Sequence, residues 1–491
     1  MEIDRFISER KNDIIVFACL FFVYLYIYGG VFSYLSYNSD EMLDFYGYGT
    51  YTYLAFGRWG LAAWRLLVGE GPATWTVGIT AGIFLVASIL VQVRILKLSN
   101  TLMQIVYGVL YLSVFQFAWQ LSYSMQGDAV AGAMLSVSIA AYLTLFSGKY
   151  IVRCISAVCF LTFGIAVYQN LFLNYVILIL LFLLRNMISR ENRFLWGTLF
   201  LSGIICGISL VLWLLVKFLI LYFADIPESV ILYCNGYNSA MIGWGGTIVQ
   251  MLLCIGHCFK EMCFMAAWPN SYDGEWIYAF SLIPLLIFFV IVLRLKTTCF
   301  FKAIAIFFSV VVYLLPFVLI LILCKVWPLR PWVRVSEPLA FAGIWSLVLP
   351  SIWKQLTQWR CFVAILLILF TVRAGIWVSR YADSEKLKYD AVTSRMLQIE
   401  FDGLRAAAEM GVHVSKGDIL VFSNVKNVLE NPRYSNEPYY FDWAVLPLFR
   451  YLKIATHPSE YREHEEVLKD MPKWPAKGSI RESKGVIIIS N

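Results

Sequence analysis

Residues 14–34 read IIVFACLFFVYLYIYGGVFSY, and an acidic motif, SDE, follows shortly afterwards at residues 39–41. The apolar run is long enough to cross a bilayer, which takes about 20 residues in a helix. It is too long for the apolar core of a cleavable signal peptide and has no small-residue cleavage site. The stretch therefore predicts a retained membrane-spanning helix that ends beside a pair of carboxylates.

The rest of the chain has the composition of a polytopic membrane protein. Of its 491 residues, 60% are hydrophobic and only 14% are charged, whereas about a quarter are charged in soluble proteins. The apolar runs predict about eleven transmembrane helices. These lie at residues 14–34, 74–95, 101–122, 128–147, 150–168, 170–185, 194–223, 277–293, 303–323, 338–353 and 361–378.

The distribution of basic residues predicts the orientation of these helices. With the N-terminus in the cytoplasm, the short basic connections all fall on the cytoplasmic face, as the positive-inside rule requires. They carry Arg94 and Lys97, Lys149 and Arg153, Arg185, Arg190 and Arg193, Arg294, Lys296 and Lys302, and Lys354 and Arg360. The net charge of +7 thus reflects membrane topology rather than nucleic-acid binding.

The opposite face receives the longer connections and the tail after Arg380. We expect residues 35–73 to form one or two helices at the membrane surface, because they are rich in tyrosine and tryptophan. The sequence predicts two domains, a transmembrane domain at 1–380 and a small soluble α/β domain at 381–491. In the second, we predict a helix at 384–410 that stops at Gly411, strands at 418–423 and 485–490, and a helix at about 440–452.

The outer connections carry the candidate functional residues. Asp40 or Glu41 could act as a general base, or both could hold a metal, although an acid beyond a helix end is commonly only solvated. Arg58, in the motif Gly57-Arg58-Trp59, could clamp a lipid phosphate, although a single arginine at an interface more often just reaches towards water.

Two further polar positions face the same compartment. Asp128 could position a hydroxyl group, but an aspartate at a helix start is also a common cap. Tyr168 and Gln169 separate two nearly continuous apolar runs, where a tight turn needs polar residues, and a glutamine also suits sugar hydroxyls.

Arg330 and Arg334 flank a tryptophan in an outer loop, against the positive-inside preference. They could bind a phosphate, and an ion pair with Glu337 is the alternative. Cys254, His257, Cys258 and Cys263 resemble a metal site only superficially, because their surroundings are apolar and His257 is offset on a helix. We predict no metal site there.

Together these residues resemble the Gtr-type glucosyltransferase family of bacteria, the serotype-converting enzymes that decorate O-antigen and so modify lipopolysaccharide. The family is related to the GT-C class of polyprenyl-phosphate-sugar-dependent transferases. The resemblance covers most of residues 1–380 in order and spacing. It is carried by Asp40-Glu41, Gly57-Arg58-Trp59, the Asp128 segment, Gly164 with Tyr168 and Gln169, and the arginine-bearing loop at 331–334. The family typically has Asp-Asp where this chain has Asp-Glu, which leaves open which carboxylate is the base.

The resemblance implies an all-α, GT-C-like membrane fold in the bacterial inner membrane, with a periplasmic C-terminal domain. It implies inverting transfer of a sugar, with glucose as the expected one, from an undecaprenyl-phosphate carrier to a glycan acceptor. By this resemblance Asp40 or Glu41 would be the catalytic base. Arg58, Arg330 and Arg334 would bind the donor phosphate, and Asp44, Asp128, Tyr168 and Gln169 would bind the sugar or the acceptor. We expect no cofactor and no obligatory metal, although an acidic pair can also hold Mg²⁺ or Mn²⁺.

Two alternatives remain at the level of sequence. The first is a transporter or flippase of lipid-linked sugars, but transporters place ionisable residues near the middle of the membrane. Here no predicted span has an acidic residue well inside it, which favours an enzyme. The second is a transferase of the same architecture that moves a different sugar.

Overall fold

The computed structural model describes most of the chain and shows a predominantly helical protein with a small sheet near the C-terminus. The described residues are 2–33, 49–69, 74–114, 116–121, 123, 126–146, 150–189, 195–228, 230–231, 234, 280–316, 335–358, 360–414, 419–422, 452–454 and 463–490. They belong to two compact units. One comprises Met1–Ser33, Tyr53–Gly69 and Ala73–Ala382, and the other comprises Tyr34–Thr52, Glu70–Pro72 and Asp383–Asn491.

Helices account for most of the described chain. Up to the end of the long apolar region they are α1 (Glu2–Tyr28), α2 (Gly49–Ala55), α3 (Trp59–Val68), α4 (Thr74–Ile95), α5 (Thr101–Leu112), α6 (Gln116–Leu121), α7 (Gly127–Leu145), α8 (Tyr150–Val167), α9 (Phe172–Ser189), α10 (Leu195–Phe223), α11 (Leu282–Arg294), α12 (Cys299–Leu314), α13 (Glu337–Gln358) and α14 (Arg360–Glu409). Short 3-10 turns occupy Val31–Ser33 and Gln169–Leu171.

The apolar runs do form helices, and several of these can cross a membrane. Six segments of the described chain are long and apolar enough: Lys11–Tyr28, Trp75–Ile95, Gly127–Leu145, Gln169–Ser189, Trp196–Phe223 and Phe362–Asp383. Shorter apolar helices, such as Thr101–Leu112 and Cys299–Leu314, coincide with other predicted spans. The helical membrane character is therefore confirmed, while the number of about eleven spans and the GT-C-like fold stay predictions.

Contacts between α4 and α7 fix the relative direction of these two helices. Phe84 packs near Gly132, and the Ser88 hydroxyl lies 2.9 Å from that of Ser138, so both helices run the same way. The end of α4, where Arg94 pairs with Asp13 at 2.6 Å, is consequently opposite to the beginning of α7. The predicted basic connections and the Asp128 segment thus lie at opposite ends of these helices.

A hydrogen-bonded cluster joins α4, α5 and α7 in the interior. The Gln92 amide donates to Ser88 at 3.0 Å and to Ser138 at 3.2 Å, and its carbonyl oxygen accepts from the Tyr107 hydroxyl at 2.8 Å. All four side chains are buried. Because buried polar groups are costly without partners, this cluster specifies how the three helices face one another.

Helices α7 and α8 approach closely at Gly164. A Cβ added at Gly164 would collide with Cγ2 of Val137 and lie 3.4 Å from the Ala133 carbonyl oxygen. We expect Gly164→Val to lower the free energy of unfolding by about 1–3 kcal/mol, because it overpacks this contact. The matched control is Gly203→Ala on α10, where no atom lies within 4 Å of the added Cβ. Thermal unfolding in detergent micelles measures both variants, and equal melting temperatures would contradict the prediction.

The second unit contains a four-stranded sheet. Its strands are β1 (Ile419–Phe422), β2 (Leu452–Ile454), β3 (Ile480–Ser483) and β4 (Val486–Ser490), in the order β2-β1-β4-β3, and a short helix, α15 (Glu465–Lys469), precedes β3. Strand β1 is parallel to β2 and to β4, whereas β3 is antiparallel to β4.

The two central strands, β1 and β4, are buried on both faces. Ile419 and Ile489 belong to one cluster with Ile399 of α14, and Leu420 and Ile488 belong to another. This follows from the alternation of side chains along a strand. The two strands predicted at 418–423 and 485–490 are confirmed. The helix predicted at 384–410 ends as expected before Gly411, where φ is +71°, but its predicted start is wrong, because α14 runs without a break from Arg360 through the span predicted at 361–378.

The predicted helix at about 440–452 lies almost entirely outside the described residues. Its last residue, Leu452, is the first residue of strand β2. The assignment of residues 381–491 to a soluble extracytoplasmic domain stays a prediction.

Candidate functional site

A tight turn at Phe56-Gly57-Arg58 precedes helix α3. The Gly57 amide donates to the Leu54 carbonyl at 2.9 Å, and the Arg58 amide donates to the Tyr53 carbonyl at 2.7 Å. Gly57 has a φ of +77°, in the left-handed region that favours glycine. The turn therefore requires a glycine next to the predicted phosphate-binding arginine.

Two distant side chains bind this turn through its carbonyl groups. Gln169, in the turn between α8 and α9, donates from Nε2 to the Phe56 carbonyl oxygen at 2.9 Å. Trp213 of α10 donates from Nε1 to the Gly57 carbonyl oxygen at 2.8 Å. The position of Arg58 is thus determined by residues more than 100 positions away in the chain.

The Arg58 side chain lies against aromatic rings. Its guanidinium carbon is 5.2 Å from the centre of the Tyr168 ring and 5.8 Å from that of Phe56, both within cation–π range. Its Nε atom is buried without a hydrogen-bond partner, and no carboxylate of the described chain pairs with it. The guanidinium is therefore positioned by rings and retains donors for an anion.

Asp128 forms a buried ion pair with Arg65 of α3. The two side chains are only 2% and 3% exposed. The carboxylate also accepts from Trp64 Nε1 at 2.9 Å and from the Ala129 amide at 2.8 Å. Asp128 thus lies in the first turn of α7, as expected, but its principal partner is an arginine that the sequence analysis did not single out.

Helix α3 connects the two groups of residues. Arg58 precedes its first residue and Arg65 lies seven residues later, which is two helical turns, or about 10 Å along the axis. Gly60 permits close contact with α8, because an added Cβ would lie 2.9 Å from the Ala166 carbonyl carbon. Arg58 belongs to the turn before α3. This turn also contacts Tyr168 and Gln169, and α3 itself contacts Asp128.

An apolar cavity of about 370 Å³, largely open to the outside, lies along α7 and α8 and reaches this group only at Trp64. Its lining includes Trp64, Phe84, Leu135, Phe160 and Phe163. Trp64 is also the donor to Asp128. A cavity with such a lining suits a hydrocarbon chain better than a sugar.

The other predicted site residues cannot be placed. Asp40, Glu41, Asp44, Arg330 and Arg334 lie outside the described residues, as do the cysteines at 254, 258 and 263. Within the described ranges no three histidine, cysteine, aspartate or glutamate side chains are arranged to hold a metal ion. The roles proposed for the five residues and the expectation of no obligatory metal stay predictions.

Sequence reasoning missed Arg65, Trp213 and Lys217 as parts of this site. Arg65 follows Trp64 in a segment that resembles an ordinary interfacial helix. Lys217, whose stem lies against Gly57, is a single lysine within the apolar run predicted as the span 194–223. One usable signal was present, because Trp213 and Lys217 are four residues apart and so share a helix face.

A model of the family described as Glucosyl transferase GtrII matches residues 28–348. No curated protein and no solved structure gives a significant match.

Proposed function

Because the chain belongs to the GtrII glucosyl transferase family, we propose that it moves glucose from an undecaprenyl-phosphate carrier to a surface or O-antigen-type glycan. The transfer takes place on the periplasmic side of the bacterial inner membrane. The family match carries this proposal, since every predicted site residue falls within the matched range of 28–348.

The arrangement of the described residues supports a lipid-linked donor. Arg58 offers guanidinium donors without a carboxylate partner in the described chain, and an arginine fork suits a phosphate. The apolar cavity beside Trp64 provides space for part of a hydrocarbon chain. A soluble nucleotide-sugar donor would also need a cation for its phosphates, but it would not need the apolar cavity.

The position of these residues supports catalysis at one membrane face. Asp128 begins α7 at the end opposite to Arg94, and Gln169 begins the segment that leads into α9. Lys97 donates to Asn186 at 3.1 Å, near the end of α9. The candidate residues thus lie at the ends of α7 and α9 away from the basic connections assigned to the cytoplasm.

In the proposed reaction Asp40 or Glu41 removes the proton from the acceptor hydroxyl, which attacks the anomeric carbon of the donor. The bond from this carbon to the phosphate oxygen breaks, and the carrier phosphate leaves with the bonding electrons. Arg58, Arg330 and Arg334 stabilise that charge. Asp44, Asp128, Tyr168 and Gln169 orient the sugar and the acceptor, and a single displacement inverts the anomeric configuration.

Transfer in proteoliposomes tests the proposal. We expect the purified protein to move labelled glucose from undecaprenyl-phosphate-glucose to a lipid-linked glycan. Uridine diphosphate glucose should not serve as donor, because the proposed site recognises a lipid phosphate. The measurement is the labelled glycan formed, together with the donor consumed.

Two controls and a measurement of donor crossing separate the alternatives. Liposomes without protein give the background rate, and undecaprenyl-phosphate carrying mannose or galactose tests the identity of the sugar. A donor that crosses the bilayer without being consumed would favour a flippase. Transfer of another sugar but not glucose would contradict the glucose assignment.

A further inference from the structure

Lys217 of α10 lies directly against the turn that positions Arg58. A Cβ added at Gly57 would be 2.8 Å from Cδ and 3.3 Å from Cε of Lys217. The lysine stem therefore occupies the space that any other residue at position 57 would fill. The positive φ favours glycine there, and the lysine stem would have to shift to admit a Cβ.

Trp213 holds the lysine and the turn together. Its Nε1 donates to the Gly57 carbonyl at 2.8 Å, while its ring centre lies 6.0 Å from Nζ of Lys217. Residues four apart on a helix are neighbours, so one helix face presents both side chains to the turn. The position of Lys217 is therefore determined by the same contact that fixes Gly57.

Lys217 lies well inside its helix. It precedes Phe223, the last residue of α10, by six residues, or about 9 Å along the axis. Its helical neighbours are apolar, and two of them, Leu214 and Phe218, are exposed. A cation within an apolar segment is costly unless its charged end reaches water or an anion accompanies it.

Neither cation at this turn has an anionic partner within the described chain. The contacts of Arg58 are the rings of Tyr168 and Phe56, and that of Lys217 is the ring of Trp213. Cation–π contacts position the charges but do not neutralise them. Two cations at one turn, without a carboxylate partner among the described residues, are suited to binding an anionic ligand.

We propose that Arg58 and Lys217 together bind the phosphate of a lipid-linked donor. The proposal rests on the proposed function and adds Lys217 to it. Arginine supplies a planar pair of donors, and lysine supplies a compact charge that approaches the same phosphate from α10. The ligand class is a phosphate carried at the head of an isoprenoid chain.

Binding to the purified protein in nanodiscs tests this assignment without requiring transfer. The probes are undecaprenyl phosphate, undecaprenol, which lacks the phosphate, and inorganic phosphate as a competitor. We expect Lys217→Met to weaken undecaprenyl phosphate binding by about tenfold or more, the usual effect of losing one charge-assisted hydrogen bond. Lys217→Arg should recover most of the affinity, because it keeps the charge.

Lys302→Met is the matched control. The Lys302 amino group donates to the Leu293 carbonyl at 2.7 Å, far from this turn in sequence. We expect this variant to bind undecaprenyl phosphate like the wild type, and undecaprenol to bind all variants equally.

Several results would overturn the proposal. The first is an unchanged affinity of Lys217→Met for undecaprenyl phosphate. The second is a loss of this affinity in Lys302→Met as large as in Lys217→Met. The third is competition by inorganic phosphate as strong as that by undecaprenyl phosphate. A melting temperature of Lys217→Met close to that of the wild type excludes misfolding as the cause of weak binding.

The test distinguishes this inference from the proposed function. If glucose is transferred and Lys217→Met has an unchanged KM for the donor, the function stands and the inference fails. If glucose is not transferred but Lys217→Met binds undecaprenyl phosphate more weakly, the phosphate site stands and the sugar assignment fails.

Discussion

Arg65→Met is expected to destabilise the helical unit by about 3–5 kcal/mol, the largest stability effect that we predict. The substitution leaves the Asp128 carboxylate, only 2% exposed, with Trp64 as its remaining side-chain partner. An uncompensated charge at such a site is far more costly than a missing salt bridge at a surface. Thermal unfolding in detergent micelles measures the loss.

Arg94→Met provides the matched control for this prediction. Arg94 also pairs with an aspartate, Asp13, at 2.6 Å, but the two side chains are 45% and 32% exposed. Solvent screens this pair, so its loss should cost less than about 1 kcal/mol. Equal destabilisation by both arginine variants would contradict the argument from burial.

The double variant Arg65→Met with Asp128→Leu separates stability from activity. Removing both charges should restore much of the melting temperature, since the buried carboxylate no longer lacks its cation. Transfer should stay low if Asp128 orients a sugar, as the proposed function requires. Full activity in a stable double variant would limit Asp128 to a structural role.

We further expect Asp40→Asn or Glu41→Gln to reduce transfer by about a hundredfold or more, because one of the two is the proposed general base. The variant that loses activity identifies the base. The measurement is the rate of glucose transfer in proteoliposomes, with donor binding followed separately to show that the substrate is still bound.

Asp225→Asn is the control for this pair. Asp225 is an exposed acid that follows α10, in a connection predicted to face the same compartment. Its neutralisation should leave transfer close to the wild-type rate. If Asp40→Asn and Glu41→Gln both behave like Asp225→Asn, the acidic pair is only a solvated part of its loop.

The helices were predictable because each apolar run must satisfy its backbone hydrogen bonds internally in a membrane. The central strands β1 and β4 were predictable because both are short continuous apolar runs. The edge strands were not. Ile480–Ser483 contains an arginine and a glutamate, and Leu452–Ile454 is only three residues long, so neither has a recognisable strand pattern.

The candidate site was predictable only in part. Position relative to the predicted spans was sufficient to select Arg58, Asp128, Tyr168 and Gln169, and the structure brings Arg58 against Tyr168. The contact of Arg65 with Asp128 bridges 63 residues and that of Trp213 with Gly57 bridges 156. Such pairings depend on how helices pack against one another, which periodicity within a single helix does not encode.

The cluster around Gln92 bears on how the protein assembles in the bilayer. When α4 first enters the lipid, the side-chain amide of Gln92 has no partner from α5 or α7, because Tyr107 and Ser138 come later in the chain than Gln92. Lateral association of the later helices then satisfies the amide, as in a two-stage insertion pathway. Rotating α7 by one residue, or about 100°, would carry Ser138 away from Gln92. The Gln92 amide therefore favours one rotational orientation of α7 about its own axis as this helix packs against α4.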